Sequence, residues 1–150
     1  MKRFLVVAAL LIAAIAIFAV TKYSGAQGVP NLKGTWSGTF RSVIYGSNVH
    51  HPGSQTIASP PRVRSIRFTF DITGQDGRLL WGTSRSSASP KEPFAATMTA
   101  DLNTILGADT DGLFGMRVIS QRRIELCYAH SALSPSRSIV ASCGTLERTR

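Results

Sequence analysis

The residues with a potential for chemistry are few and scattered. His50 and His51 stand side by side in a stretch rich in proline and glycine, and His130 is the third histidine of the chain. Imidazole nitrogens bind transition metals, but a stable site needs three or four ligands with suitable spacing. No single segment offers such a set. The sequence therefore predicts no metal and no other cofactor.

The segment Asp109–Gly112 resembles part of a calcium-binding loop. The pattern fails at both ends, because Gly107 stands where the first acidic ligand belongs and Val118 where the bidentate glutamate belongs. A tight turn between two strands explains this segment better. The motifs of serine hydrolases, zinc proteases and phosphate-binding loops are absent from the sequence. The sequence therefore predicts no catalytic role.

The N-terminal segment has the pattern of an export signal. The chain starts with basic residues, and an uncharged apolar run covers residues 4–20. Three small residues, Ser24, Gly25 and Ala26, come shortly after it. This predicts a signal peptide over residues 1–26, cleaved before Gln27, and a single domain over residues 27–150. The alternative is an uncleaved membrane anchor, since the apolar run is almost long enough to span a bilayer. Both readings place the domain in the periplasm or outside the cell.

The chain is basic, with a formal net charge of +9. Removing the three basic residues of the N-terminal segment leaves +6 (9 − 3). Such a surface favours anionic partners such as lipid head groups, and Arg62, Arg64 and Arg67 lie close together in the chain. Nucleic acid is not predicted as a partner, because no basic helix or aromatic-basic motif occurs. One functional hypothesis is thus a structural or adhesion module that binds anionic surfaces.

The candidate residues of the domain must be positioned by short strands, because the sequence pattern after the N-terminal segment is that of strands and turns. Ile66–Trp81 shows the clearest pattern, because apolar and polar residues alternate up to Ile72 and a glycine-rich turn follows. Pairing Gly74 with Gly77 across that turn sets Trp81 opposite Phe70. Similar segments recur along the chain between turn signals. The sequence predicts an all-β fold, an eight-stranded antiparallel up-and-down β-barrel after the N-terminal segment.

The other turns predict which residues meet, because opposed residues of a hairpin share a face. The predicted partners are Met98 with Gly107, Ile105 with Met116, Leu126 with Gly144 and Cys127 with Cys143. The two cysteines would be neighbours on the outer face, within reach of a disulfide. An even pair of cysteines in an oxidising compartment favours the same bond. The sequence predicts a structural disulfide.

The G-x-W motif at Gly34–Trp36 resembles the start of avidin-like and lipocalin-like (calycin-type) small β-barrels. The resemblance implies an up-and-down barrel in which Trp36 is structural and closes the base. Two positions depart from the avidin-like pattern: Gly38 replaces the asparagine that follows the tryptophan, and Gly144 replaces a late aspartate. Biotin binding is therefore not expected.

A barrel of eight strands is either filled by side chains or wide enough for one small ligand. Glycine and alanine among the large interior residues fit both outcomes. Arg85 and His130 share the interior parity near strand ends, where an arginine would suit an anionic group. The alternative is that the strands have ended there and that both side chains lie in solvent. The candidate ligand-binding residues are Phe70, Trp81, Met98, Phe114, Tyr128, Arg85 and His130. The main prediction is a secreted or periplasmic barrel that binds a small apolar ligand or a partner protein beneath the long connection 47–63.

Overall fold

The strands form a closed antiparallel barrel in this computed structural model, which describes residues 28–131 and 138–149. The strands are β1 Gly34–Tyr45, β2 Arg62–Asp76, β3 Leu79–Ser86, β4 Glu92–Met98, β5 Thr104–Asp109, β6 Leu113–Ser120, β7 Arg123–His130 and β8 Ile139–Arg148. Each strand pairs with the next, and β8 pairs with β1. The predicted eight-stranded up-and-down barrel is confirmed. The predicted signal peptide lies outside the described residues, as does most of the loop before β8.

Within the described ranges, no helix has the length and apolarity needed to cross a bilayer.

The hairpin of β2 and β3 has a different turn from the predicted one. The strands meet at Gly77-Arg78, where Gly77 adopts a φ of 53° that favours glycine. An irregularity in the pairing lies between Ile72 and Gly74. One extra residue in a strand reverses the faces beyond it, because side chains alternate with a period of two. The alternation in the sequence does not reveal this reversal.

The changed turn and the bulge together move the partner of Phe70 by three positions along β3. Phe70 pairs with Ser84 and not with Trp81. Trp81 lies outside with 48% of its surface exposed, and Leu79 is 55% exposed. Arg85 is also exposed on the outer face. The predicted interior placement of Trp81 and Arg85 is therefore wrong.

Trp81 has a packing role on the outside of the barrel. It pairs with Gly74 across the hairpin, and a Cβ atom at Gly74 would lie only 1.9 Å from an atom of the indole. The ring therefore covers the bare backbone of the bulge. In the lumen the neighbouring Leu80, only 2% exposed, takes the place expected for Trp81.

The turn between β4 and β5 is longer than predicted. Met98 pairs with Ile105 instead of Gly107. The Asp101 carboxylate accepts hydrogen bonds from the backbone of Asn103 (2.9 Å) and Thr104 (3.1 Å) and so stabilises a wider loop. The shift is an even number of residues, so Met98 remains buried on the interior face.

The hairpin of β5 and β6 and the hairpin of β7 and β8 have the predicted register. Met116 pairs with Ile105, and Cys127 pairs with Cys143. The two cysteines form a disulfide on the exposed outer face, with a Cα–Cα distance of 4.1 Å. The predicted disulfide is confirmed. Such a bond is typical of an oxidising environment.

Trp36 fills the base of the barrel, the end at which β1 begins. Its side chain is fully buried, and its indole Nε1 donates a hydrogen bond to the Leu32 carbonyl (2.9 Å). The Arg148 guanidinium lies 5.2 Å from the ring centroid, a distance suited to a cation–π contact. The segment before β1 and the end of β8 are thereby joined through one aromatic ring.

The lumen next to this base is a packed core. The rings of Phe70, Phe94 and Phe114 lie with their centroids 5.6 to 5.8 Å apart, in tilted and edge-on contacts. Phe70, Met98 and Phe114, three of the predicted ligand contacts, are at most 3% exposed and belong to this core. Close packing of this kind leaves no space for a further molecule.

Candidate functional site

The opposite end of the barrel carries the polar side chains. It is called the mouth here and is formed by the ends of β1, β3, β5 and β7 and the starts of the strands that follow them. The longest described connection, residues 46–61, folds over it and is called the mouth loop. The loop buries His50 and His51, which are 6% and 3% exposed. A loop rich in proline and glycine thus carries two imidazole groups into the interior.

A small cavity of about 20 Å³ lies beneath the mouth loop. Aromatic and aliphatic side chains form much of its wall: Phe40, Phe68, Phe70, Leu126 and Val140. Its polar lining comprises Ser42, Asn48, His50, His51, Ser84, Asp109, Tyr128, His130 and Ser142. The volume holds roughly one water molecule. The barrel is therefore filled in this closed form, and the remaining space lies at the mouth.

Two buried polar atoms at this cavity have no hydrogen-bond partner among the described residues, the Nδ1 of His51 and the Oγ of Ser84. Both side chains are 3% exposed. Leaving such a group unsatisfied costs about 1–3 kcal/mol, and buried polar groups in folded proteins are normally paired. The neighbouring Ser42 and Ser142, by contrast, share a hydrogen bond of 2.9 Å. Both residues line the cavity, so each of the two atoms has an unused hydrogen-bonding capacity there.

His51 is a neutral group in this setting. Burial, together with the charges of the nearby His50 and Arg62, lowers its pKa from 6.5 to about 4. A neutral imidazole offers one donor nitrogen and one acceptor nitrogen. His51 is therefore able to bind either a hydroxyl or a carbonyl group of a ligand.

The mouth loop is held down by polar contacts. Asn48 accepts backbone hydrogen bonds from His50 (2.9 Å) and His51 (2.7 Å), and its amide donates to Ser138 (2.8 Å). The Arg62 guanidinium donates to the carbonyls of Gly46 (2.9 Å) and His51 (2.7 Å). Arg62 thus holds the mouth loop in place through these hydrogen bonds. The expectation that Arg62 forms an outward basic group with Arg64 and Arg67 is therefore wrong.

His130 and Tyr128 lie at the mouth end of β7. His130 is buried, with its Nδ1 3.1 Å from the Tyr128 hydroxyl and its Nε2 2.8 Å from the Ser138 hydroxyl. Burial lowers the pKa of His130, although the charge of Asp111 acts in the opposite direction. Burial raises the pKa of Tyr128, and the Asp109 charge adds to the effect. Both side chains line the cavity, and within the protein they already have hydrogen-bond partners.

Sequence reasoning missed the acidic edge of the mouth. Glu92 at the start of β4 has its Oε1 2.8 Å from the His50 Nε2, and Asp111 in the next turn has its Oδ2 3.9 Å from the same nitrogen. The hydrogen bond from His50 lowers the pKa of Glu92. Burial raises the pKa of Asp109, and the charges of Glu92 and Asp111 raise it further. The sequence indicates where the strands end. It does not indicate that Glu92 and Asp111 lie beside His50.

No family model matches the chain, and no curated protein is significantly similar to it. Among solved structures it is similar to EF1p2_mFAP2b bound to DFHBI, with 13% identity, coverage of 79% of this chain and 94% of that chain, and a TM-score of 0.48. It is also similar to a redesigned β-barrel, with 12% identity, coverage of 79% and 92%, and a TM-score of 0.45. Neither is described as avidin-like or lipocalin-like. The likeness concerns the small β-barrel and not a ligand.

Proposed function

We propose that this chain is an exported ligand-binding barrel whose site is the cavity beneath the mouth loop. The ligand class is a small, mostly apolar molecule that carries one hydrogen-bonding group. The single observation that supports the proposal best is the pair of unsatisfied buried atoms, His51 Nδ1 and Ser84 Oγ, at a cavity with largely apolar walls. Ligand sites in proteins combine such walls with a few placed polar groups.

Binding of anything larger than water requires the mouth loop to lift. Its attachments at Asn48, His50 and Arg62 are mostly polar contacts to neighbouring groups, and the ring of His50 also packs on Phe68, with the centroids 5.6 Å apart. Polar contacts exchange with water at a small net cost, about 0.5–1.5 kcal/mol each. A loop held in this way is suited to opening, whereas the aromatic core below it is not. The predicted ligand contacts therefore move from the lumen to the mouth, where Tyr128 and His130 remain candidates.

Phenol is a suitable probe because it joins one ring to one hydroxyl. Titration of the isotope-labelled protein should give saturable NMR shifts in the mouth loop and at Ser84. Replacing Ser84 with alanine should weaken phenol binding about tenfold, the loss of one hydrogen bond. The same variant should leave the ligand-free protein at least as stable, since it removes an unpaired buried hydroxyl.

Ser65→Ala is the matched control, because Ser65 is exposed on β2. It should change neither phenol binding nor the shifts. Phenol shifts confined to the outer face, or full affinity in the Ser84→Ala protein, would contradict the proposed site.

Export is the second part of the proposal and is supported by the disulfide of Cys127 and Cys143. An oxidising compartment such as the periplasm or the extracellular space favours this bond. The basic and apolar N-terminal pattern of the sequence is consistent with the same route. An N-terminus at Gln27 in the mass spectrum of the exported protein would support the cleaved form, and an intact Met1 in the membrane fraction the anchored form.

A second candidate function, binding to anionic surfaces, is favoured by the arginines of β1 to β3. Arg41, Arg64, Arg67 and Arg85 are exposed, and among the described residues none of them has an acidic partner at ion-pair distance. Arg117, by contrast, pairs with Glu125 at 2.9 Å. Unpaired basic groups on one side of a barrel attract anionic lipids.

Reversing the charge of Arg64, Arg67 and Arg85 to glutamate should lower binding to phosphatidylglycerol vesicles more than tenfold at low salt, because each basic group contributes about 1 kcal/mol near a membrane. Vesicle cosedimentation measures the effect. Reversing Arg78, Arg122 and Arg123 at the base gives a control with the same change of net charge. All three are exposed, and Arg123 has an acidic partner, Glu147, at 3.5 Å. Equal losses in the two triple variants would point to net charge alone and contradict a defined surface.

A further inference from the structure

Three side chains from separate parts of the chain converge at the edge of the mouth. His50 comes from the mouth loop, Glu92 from the start of β4 and Asp111 from the turn between β5 and β6. One ligand atom of each, an imidazole nitrogen or a carboxylate oxygen, lies within 4.8 Å of the other two. Their side chains are 7%, 16% and 14% exposed. The cluster is thus shielded from water but close to the surface.

Hydrogen bonds from behind orient the imidazole of His50. Its Nδ1 lies 2.8 Å from the Ser89 hydroxyl and 3.1 Å from the Ser86 hydroxyl. These contacts leave Nε2 directed at Glu92 and Asp111. Histidines that bind metals are usually held by a hydrogen bond on the second ring nitrogen. His50 has this arrangement.

The carboxylates have similar support. The Thr110 hydroxyl donates to the Oε2 of Glu92, and the Oδ1 of Asp109 accepts from the backbone of Asp111 (3.1 Å) and Gly112 (2.9 Å). Asp109 thereby shapes the turn that presents Asp111. These contacts hold both carboxylates beside the imidazole.

The charges of this cluster are unbalanced. Two carboxylates face one imidazole, and within the described part of the chain no lysine or arginine lies at ion-pair distance from Glu92 or Asp111. His50 as an imidazolium neutralises one negative charge at most. Partly buried charges without a partner are costly, and a divalent cation would neutralise both carboxylates at once.

We propose that His50, Glu92 and Asp111 form a binding site for a first-row divalent cation such as Zn²⁺. One imidazole and two carboxylates make a mixed nitrogen and oxygen set that suits such ions. On binding, the cation takes the position of the proton between His50 Nε2 and the Glu92 carboxylate. The ring binds the ion as a neutral imidazole that keeps one proton on Nδ1, which faces the Ser86 and Ser89 hydroxyls, and any second proton leaves to solvent. Water would complete the coordination. The site shares His50 with the lining of the cavity, and a bound ion would hold the mouth loop in the contact with Glu92 that lifting of the loop breaks. Ion binding itself does not require the cavity ligand.

Zn²⁺ alone is the probe, added to the tag-free protein after dialysis against a chelator. Isothermal titration should show saturable binding of one ion per chain. Glu92→Gln and Asp111→Asn, which keep the shape of the side chain, should each weaken binding at least tenfold, and His50→Ala should abolish it. Zn²⁺ should also raise the melting temperature of the wild-type protein but not that of Glu92→Gln. Co²⁺ should give the visible absorption of a bound ion in the wild type only.

Glu125→Gln is the matched control, because Glu125 is an exposed glutamate on the outer face and pairs with Arg117. It should bind Zn²⁺ like the wild type. If His50→Ala fails to fold, the two isosteric variants decide. The absence of saturable binding, or binding that Glu92→Gln and Asp111→Asn leave unchanged, overturns the proposal.

Discussion

Replacing Trp36 with alanine is expected to lower the free energy of unfolding by about 4 kcal/mol, the upper range for the loss of a large buried ring. The ring is fully buried, and the change would also leave the Leu32 carbonyl without its indole donor. The contact with the Arg148 guanidinium disappears as well. Urea denaturation followed by circular dichroism measures the difference.

Trp81→Ala is the comparison that distinguishes the stability contribution of the exterior tryptophan from that of the buried Trp36. Trp81 is 48% exposed and covers Gly74 from outside. Trp81→Ala should lower the free energy of unfolding by about 1 kcal/mol, because Trp81 buries less apolar surface than Trp36 does. Equal costs for the two substitutions would contradict the placement of Trp81 outside the barrel and return it to the core.

Removing the disulfide is the other change with a large expected effect. Cys127 and Cys143 are separated by 16 residues, and the chain-entropy model assigns about 3 kcal/mol to a closed loop of this length. Replacing both cysteines with serine should therefore lower the free energy of unfolding by about 3 kcal/mol, mostly by releasing the unfolded chain. Both positions are exposed on the outer face, so serine leaves the core undisturbed.

Denaturation with and without dithiothreitol tests this effect. The reductant should destabilise the wild-type protein to the level of the double-serine variant, and it should leave that variant unchanged. A double-serine protein as stable as the oxidised wild type would mean that the register of β7 and β8 alone holds this side of the barrel.

The strand count and two registers were predictable because they follow from local rules. Alternation marks the strands, and the turn at Asp109–Gly112 sets Ile105 opposite Met116. The cysteine pair follows in the same way from one hairpin. In each case the information lies within about twenty residues of chain, the range over which a turn dictates pairing.

The bulge in β2 was not predictable from alternation. Ile72 and Gly74 differ by two positions, yet they lie on opposite faces because one extra residue intervenes. Glycine at position 74 is the one signal that indicated it, since glycine within a strand is typical of a bulge. The predicted pairing placed the same glycine in the turn. Trp81 and Arg85 were therefore predicted on the wrong face of the sheet.

The proposed sites at the mouth could not be predicted from the sequence for a different reason. His50, Glu92 and Asp111 meet only because three loops end at the same rim. No spacing in the sequence encodes that convergence. The prediction of no metal rested on a search for nearby ligands, whereas a closed barrel brings together residues from distant hairpins.

The pairing of β1 with β8 has a consequence for the order of events during folding. Each hairpin from β2 onward finds its neighbour locally, but one edge of β1 waits for the final strand, and Trp36 pairs with Arg148. Contacts between such distant segments slow folding. A sheet that lacks β8 keeps two free edges and cannot close. The native lumen, and with it the mouth, therefore forms only when almost the whole chain is available.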